Sequence, residues 1–451
     1  MTVEYERDEQ LGAALRELDL PPLPADFYPL LRRRLDAERA ARAARRRVVL
    51  AAAALLLAGS AAAAVLLALP ARAPLAPSEA LAGRVKVRVI AAFGSAQTLR
   101  ARLVTAIPGP DGTRTSISAT VVLSARGDYR WSERVPTRRG APPERNESSF
   151  DAAAGVGRSF SAGGEFKRPS GEEYQGLAAG SPDAYNESPF LGQLRAVVRS
   201  VREEGRLRVR EVRIGGRPAW RVALPLTRYL AGNPGGVSPS LSPDRLIVVI
   251  DRESGFPLRI VEQRRGRVLS ETRVLSLRLD EPVAPGTFRL HYPPGTELRR
   301  REDVGFRRLP LSRAGSVVGY RPLVPGWLPA GFRLAQVSVA RGTLPTALGA
   351  NPPSRGVVSL VYRHGFEQLI VTTRARTRGG WHDPFASPWL RFRPRRLTLQ
   401  EGALAGARAE LVVDGRTTPH LWALGTHLVI TVAGDATPAE LVRVASSLHP
   451  R

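Results

Sequence analysis

The sequence predicts an α+β chain. It comprises an antiparallel sheet domain with covering helices, a second, smaller antiparallel sheet domain with a C-terminal helix, and one N-terminal transmembrane helix. Three observations predict this: an uncharged apolar run from Val48 to Leu69, successive short β-type segments punctuated by glycine and proline, and a well-marked helix start at Thr437.

Residues 1–47 read as a cytoplasmic tail. They hold ten arginines against nine acids, so nearly all of the formal net charge of +26 lies beyond them. After the proline-broken stretch Leu20 to Pro24, a helix is expected from about Asp26, with Phe27, Leu30, Leu31 and Leu35 on one face as a candidate partner-binding surface. The alternative use of that helix is to lie on lipid through its arginines. Residues 48–69 follow as the membrane span, since about 20 helical residues cross a bilayer core. Arg42, Arg45, Arg46 and Arg47 abut its start and only Arg72 follows closely, which places the N-terminus inside the cell and the bulk of the chain outside the cytoplasmic membrane. Ala71-Arg72-Ala73 has the form of a signal-peptidase site, but the charged leader and the apolar run both exceed signal-peptide dimensions. Residues 70–85 read as a linker.

The first folded region, 86–295, opens with β-type segments at 99–107 and 113–125 and a short strand around Trp131. The polar, turn-rich stretch 136–148 is expected to be a loop. Ser188-Pro189 forms a cap and first turn, followed by Leu191, Leu194, Val197, Val198 and Val201 at helical spacing. Beyond Gly205 the period changes, and Gly215-Gly216 joins 206–214 to 217–224 as a two-residue hairpin. Strands at 245–250, 257–263 and 267–278 complete the series. Residues 296–314, which include Arg299 to Arg301, read as a charged connection to the second folded region at 315–451. There, strands are expected near 332–341, 357–363, 367–376, 407–414, 419–424 and 426–433. The closing helix has Thr437 as cap, Pro438 at its first position, Glu440 three residues on, and Leu441, Val444, Ala445 and Leu448 as its buried stripe.

Chemistry is sparse. The chain has no cysteine, which excludes disulfides, thiol catalysis and Cys-based metal sites. Phosphate-binding, dinucleotide, nucleophile-elbow and zinc-protease motifs are absent from the sequence, the six histidines are scattered without ligand spacing, and no cofactor is implied. His382-Asp383, between Trp381 and Trp389, is the one pair with a catalytic look, and adjacent residues in extended chain point apart. Lysine occurs only at Lys86 and Lys167, so the positive charge is arginine, and arginine enrichment of this kind also follows from a GC-rich genome. With the bulk of the charge outside the cell, nucleic acid is not the expected partner; lipid headgroups and wall polymers are the available polyanions.

Against that background, Gly127-Asp-Tyr-Arg130-Trp131, Gly216-Arg-Pro-Ala-Trp220-Arg-Val222 and Val248-Val-Ile-Asp251-Arg-Glu-Ser-Gly255-Phe-Pro257-Leu-Arg259 resemble the strand and turn pattern of the LolA/RseB-like lipoprotein-carrier fold over 86–295. That resemblance implies a half-open antiparallel β-barrel with covering helices. Residues 315–449, through Tyr320-Arg-Pro322, Pro325-Gly-Trp-Leu-Pro329-Ala-Gly-Phe332, Leu360-Val-Tyr362 and Ala445-Ser-Ser-Leu448, resemble a domain of unknown function found in membrane-bound anti-sigma-like proteins.

A carrier fold implies a concave apolar surface, where lipid-like ligands bind. The expected function is therefore non-enzymatic: a membrane-tethered extracytoplasmic module that binds or senses a lipid, lipoprotein or peptide, in envelope-stress or anti-sigma-type regulation. Trp131, Leu194, Val197, Val198, Val201 and Trp220 are the candidate lining residues, and the tail is the candidate site for a sigma factor or other regulator. The alternative is a structural envelope protein that contacts anionic lipid headgroups or wall polymers through arginine.

Overall fold

The computed structural model describes residues 79–451 apart from 110–112, 138–141, 165–167, 176–187, 206, 226–242, 302–305, 341–344, 347–348, 351–355, 384, 386–392 and 414–417. The chain divides into two compact units, Met1–Ala76 and Pro77–Arg451, and every described residue belongs to the second. The expected tail helix with Phe27, Leu30, Leu31 and Leu35 and the expected transmembrane helix at 48–69 both lie outside the described residues. Among those described, no helix is long and apolar enough to cross a membrane.

Helix α1 (Glu79–Ser95) begins inside the stretch expected to be a linker. Its Val85, Val89, Ala92 and Phe93 recur at helical spacing and are buried, although Val-Lys-Val-Arg-Val within it alternates like a strand. There follow β1 (Thr98–Pro108), β2 (Arg114–Ser124), β3 (Tyr129–Val135), β4 (Glu144–Asp151), β5 (Val156–Ala162) and β6 (Ser170–Gln175). Helix α2 (Pro189–Glu203) comes next, its start fixed by Ser188, whose hydroxyl accepts the Leu191 N–H at 3.2 Å. The series continues with β7 (Arg208–Ile214), β8 (Arg217–Pro225), β9 (Arg245–Asp251), β10 (Pro257–Arg264), β11 (Arg267–Leu279) and β12 (Glu297–Arg301).

These twelve strands form one sheet in the order β12-β6-β5-β4-β3-β2-β1-β11-β10-β9-β8-β7. All neighbours are antiparallel except β12, which runs parallel to β6. Period-two alternation sorts the faces: in β1, Leu99, Ala101 and Leu103 are buried and Arg100 and Arg102 are exposed. The inward residues of the sheet and the apolar stripes of α1 and α2 make a single core.

The second layer contains β13 (Arg307–Arg308), α3 (Leu311–Val318), β14 (Arg333–Ala340), β15 (Val357–His364), β16 (Glu367–Ala375), β17 (Arg395–Thr398), β18 (Arg408–Val412), β19 (His420–Leu424), β20 (Leu428–Gly434) and α4 (Pro438–Ser446). Its eight strands pair in the order β13-β14-β15-β16-β20-β19-β18-β17. The expected capping box starts α4: the Thr437 hydroxyl accepts the Glu440 N–H at 3.2 Å and the Glu440 carboxylate accepts the Thr437 N–H at 2.7 Å. Leu441, Val444, Ala445 and Leu448 then enter a second core.

The structure corrects the expected fold class. The chain is predominantly β, not α+β, and its larger sheet does not close into a barrel. The extra strand comes from β5 and β6, where none was expected, from the stretch expected to be a loop, where 144–148 lies in β4, and from the connection at 297–301, which is β12. Both edge strands are charged, β7 reading Arg-Val-Arg-Glu-Val-Arg-Ile and β12 Glu-Leu-Arg-Arg-Arg, and charge on an edge strand discourages further pairing.

Candidate functional site

Helix α2 presents two working faces. Leu194, Val197, Val198 and Val201 are buried in the first core, together with Trp220 of β8, and Trp131 of β3 packs against that core partly buried. All six expected lining residues therefore belong to one apolar body beneath α2. Within it the Trp220 indole N–H is buried and, among the described residues, has no hydrogen-bond partner. Trp131 donates its indole N–H to Glu133 at 3.1 Å. Glu262 of β10 sits on the same side, held by Ser270 at 2.8 Å and by Gln193 of α2, and burial raises its carboxyl above the usual range despite those bonds.

The other face of α2 carries Arg195, Arg199 and Arg202, at a spacing of four and three residues that aligns them along one side. They grip the second layer. Arg195 Nε lies 3.3 Å from Asp435 Oδ2 and Arg199 Nε lies 3.2 Å from Asp435 Oδ1. Arg202 donates to the Asp435 carbonyl at 2.7 Å and also pairs with Glu367. Asp435 is itself fixed by backbone, accepting the Gln368 N–H at 3.1 Å and donating its own N–H to the Gln368 carbonyl at 2.7 Å. Arg195 and Asp435 are only 5% and 4% exposed.

The β15–β16 hairpin completes the junction. Its turn residue Phe366 is buried in the first core, 5.7 Å ring to ring from Phe93 of α1, although its strands belong to the second sheet. The Phe366 N–H donates to the Phe93 carbonyl at 3.1 Å, and its carbonyl accepts two bonds from Arg195, at 3.2 and 2.9 Å. Gly365 makes this insertion possible: its φ is +55°, and a Cβ there would stand 2.5 Å from the carbonyl oxygens of Phe93 and Gly94. His364 lies in the cleft between Gly94 and Gly331, where any side chain would strike its ring, and its Nδ1 is 3.0 Å from Glu367.

Charge is concentrated here under low hydration. Burial lowers the Arg195 guanidinium, and Asp435 counters it; burial likewise raises the Glu367 carboxyl, and Arg202 counters that. Arg363, pressed over Gly127 of the β2–β3 turn, is brought down to about 9 by burial and by Arg195, and remains charged at neutral pH.

Sequence reasoning found the apolar stripe of α2 and missed its arginine face, which reads in isolation as a solvated side. The regular spacing of Arg195, Arg199 and Arg202 was the available signal; their acidic partners lie 165 to 240 residues away in sequence. Of the His382-Asp383 pair, Asp383 reaches His420 of β19, with 2.7 Å between Oδ2 and Nε2, while the other ring nitrogen faces the Thr418 carbonyl at 2.6 Å. Phe385 stacks on this imidazole at 4.2 Å, enclosing it as part of the local packing. Among the described residues no three His, Asp or Glu side chains gather as a metal-binding group.

No family model matches the chain, and no curated protein matches it. Solved structures do. MucB is 18% identical, with 83% of this chain and 100% of that one covered at a TM-score of 0.28; it is also solved as the Pseudomonas aeruginosa MucA/MucB complex, 16% identical, with 82% of this chain and 99% of that one covered at 0.27. LprF from Mycobacterium bovis is 13% identical, covering 46% of this chain and 97% of its own at 0.28. A putative outer membrane lipoprotein-sorting protein domain from Vibrio parahaemolyticus is 9% identical, covering 46% and 95% at 0.22. These are structures of the LolA/RseB-like kind that the motifs resemble. At TM-scores of 0.22 to 0.28 these likenesses carry no argument.

Proposed function

We propose that residues 77–451 are an extracytoplasmic binding and sensing module whose ligand places an acyl chain or similar apolar segment beneath α2. The single observation that carries this reading is the double use of α2. One face closes the apolar body that contains Trp220, and the flank beside it holds the second sheet through Asp435 and Glu367. A ligand that lifts α2 strains the arginine contacts, so occupancy beneath the helix is transmitted to the second layer. The Trp220 N–H, which has no partner among the described residues, supplies a donor for a carbonyl or ester at the head of such a chain, since a buried donor without a partner gains from any acceptor offered. The apolar run 48–69 of the sequence supports anchorage in the cytoplasmic membrane, and the tail with Phe27, Leu30, Leu31 and Leu35 supports a cytoplasmic partner such as a sigma factor. The role is binding, not catalysis.

Mass spectrometry of organic extracts from purified 77–451, secreted by a bacterial host, tests this. The expected result is one acylated species per chain, displaced by a fluorescent acyl probe. Trp220→Phe keeps the ring and removes the donor, and is expected to weaken probe binding about five-fold, in line with the net worth of one hydrogen bond. An empty protein that ignores the probe overturns the reading.

A further inference from the structure

The face of the large sheet turned away from α1 and α2 is rich in arginine, and the strand register shows how those arginines are placed. Arg100 of β1 stands directly opposite Arg278 of β11, and Arg259 of β10 directly opposite Arg273 of β11. Like charges in opposed positions are destabilising unless something neutralises them. At Arg259 and Arg273 the chain supplies its own anion: Glu271 lies 3.0 Å from the first and 2.5 Å from the second. Burial acts to raise its carboxyl, and the two guanidinium groups outweigh that and hold it below the usual range. At Arg100 and Arg278 the compensation is slight, a 3.4 Å contact from Arg278 to Glu281 between exposed side chains, and among the described residues Arg100 and Arg102 have no carboxylate within ion-pair distance.

The register of β11 slips at this same place. Arg102 pairs with Ser276 and Leu103 with Val274, so Leu275 is the extra residue of a β-bulge. It is 59% exposed, and with Val274 packed on the core, it projects on the arginine side. An exposed leucine with Arg100, Arg102, Arg273 and Arg278 at neighbouring register positions offers both of the contacts that a charged bilayer makes: headgroup phosphate for the guanidinium groups and the acyl boundary for the leucine.

We propose that this patch of β1 and β11 docks on an anionic phospholipid surface, with Arg100, Arg102 and Arg278 on headgroup phosphates and Leu275 entering the interfacial layer. A soluble linear polyanion satisfies the arginines and leaves Leu275 in water, so the leucine favours the bilayer. The surface lies opposite the ligand face and stands independently of the acyl-chain reading.

Sedimentation of 77–451 with vesicles tests it, using phosphatidylglycerol mixed with phosphatidylcholine, phosphatidylcholine alone, and soluble polyphosphate as competitor at equal phosphate. Binding is expected only where phosphatidylglycerol is present, falling with added salt. Each basic residue near an anionic leaflet is worth about five-fold, so Arg100→Gln/Arg102→Gln/Arg278→Gln should lose on the order of 100-fold. Leu275→Ser should lose several-fold with the net charge unchanged. As a charge-matched control, Arg333→Gln/Arg395→Gln/Arg408→Gln on the second layer should bind nearly as the parent does. Equal loss in the control, an unaffected patch variant, or full displacement by polyphosphate with no effect of Leu275→Ser would each overturn the assignment.

Discussion

Removing the Asp435 carboxylate should cost far more than an ordinary ion pair. The group lies 3.3 Å from Arg195 Nε and 3.2 Å from Arg199 Nε, and all but 4% of the residue is shielded from water. Breaking a buried pair from one side leaves the partner charge desolvated and costs about 3 to 5 kcal/mol. Two arginines are stranded here, and Arg363 also loses a neighbour that sustains its charge. Asp435→Ala is therefore expected to lose about 4 kcal/mol, the lost Gln368 N–H acceptor included. Asp435→Asn keeps that acceptor and should recover about 1 kcal/mol. Urea unfolding of 77–451, followed by tryptophan fluorescence and far-UV circular dichroism, measures both. If the ion cluster couples the two sheets, the parent unfolds in one transition and Asp435→Ala in two. Combining Asp435→Ala with Arg195→Met should cost less than the sum of the single changes by more than about 1 kcal/mol, because these residues share one interaction. A loss below about 1 kcal/mol for Asp435→Ala, or strict additivity with Arg195→Met, would refute the view that this junction binds the layers together.

Other sites give sharper local tests. Gly365→Ala should destabilise 77–451 by about 2 kcal/mol or more, since the position needs positive φ and a Cβ would meet backbone carbonyls at 2.5 Å; thermal melts compared with Gly215→Ala, also at positive φ but with open space around it, separate the two penalties. Glu262→Gln should raise stability at pH 8 and leave it nearly unchanged in acid. The folded carboxyl titrates above its unfolded value, so its cost is absent below the unfolded pKa and grows as pH rises through the folded one; equal effects at both pH values would contradict this. Thr437→Ala should lose about 1 kcal/mol by opening the capping box, with Thr437→Ser close to the parent in the same urea titration.

Much of the local structure was legible because one physical signal dominated at each point. The alternation in 99–107 and the Gly215-Gly216 turn identify β1 and the β7–β8 hairpin, and the Thr437 box identifies α4. Helix α1 was not legible, since Val85 to Val89 alternates in charge and apolarity as a strand does, and only burial against the sheet selects the helical periodicity. Strand β4 hid for the opposite reason. Its Glu147 and Ser149 are buried although polar, Glu147 being held there by Arg130 and Arg145, so no apolar alternation marks the segment.

By itself the sequence determined the elements whose stability is local: capped helices, glycine turns, strands with one dry face, and an excess of positive charge. Tertiary structure alone decided that Phe366 of one sheet completes the core of the other, that Arg195 and Arg199 face Asp435, and that Leu275 protrudes on the arginine side of the large sheet. Each of these depends on residues brought together across long stretches of chain or on a single-residue slip in register. Such outcomes are set by the balance of burial, desolvation and pairing over the whole fold, which no local window of residues contains.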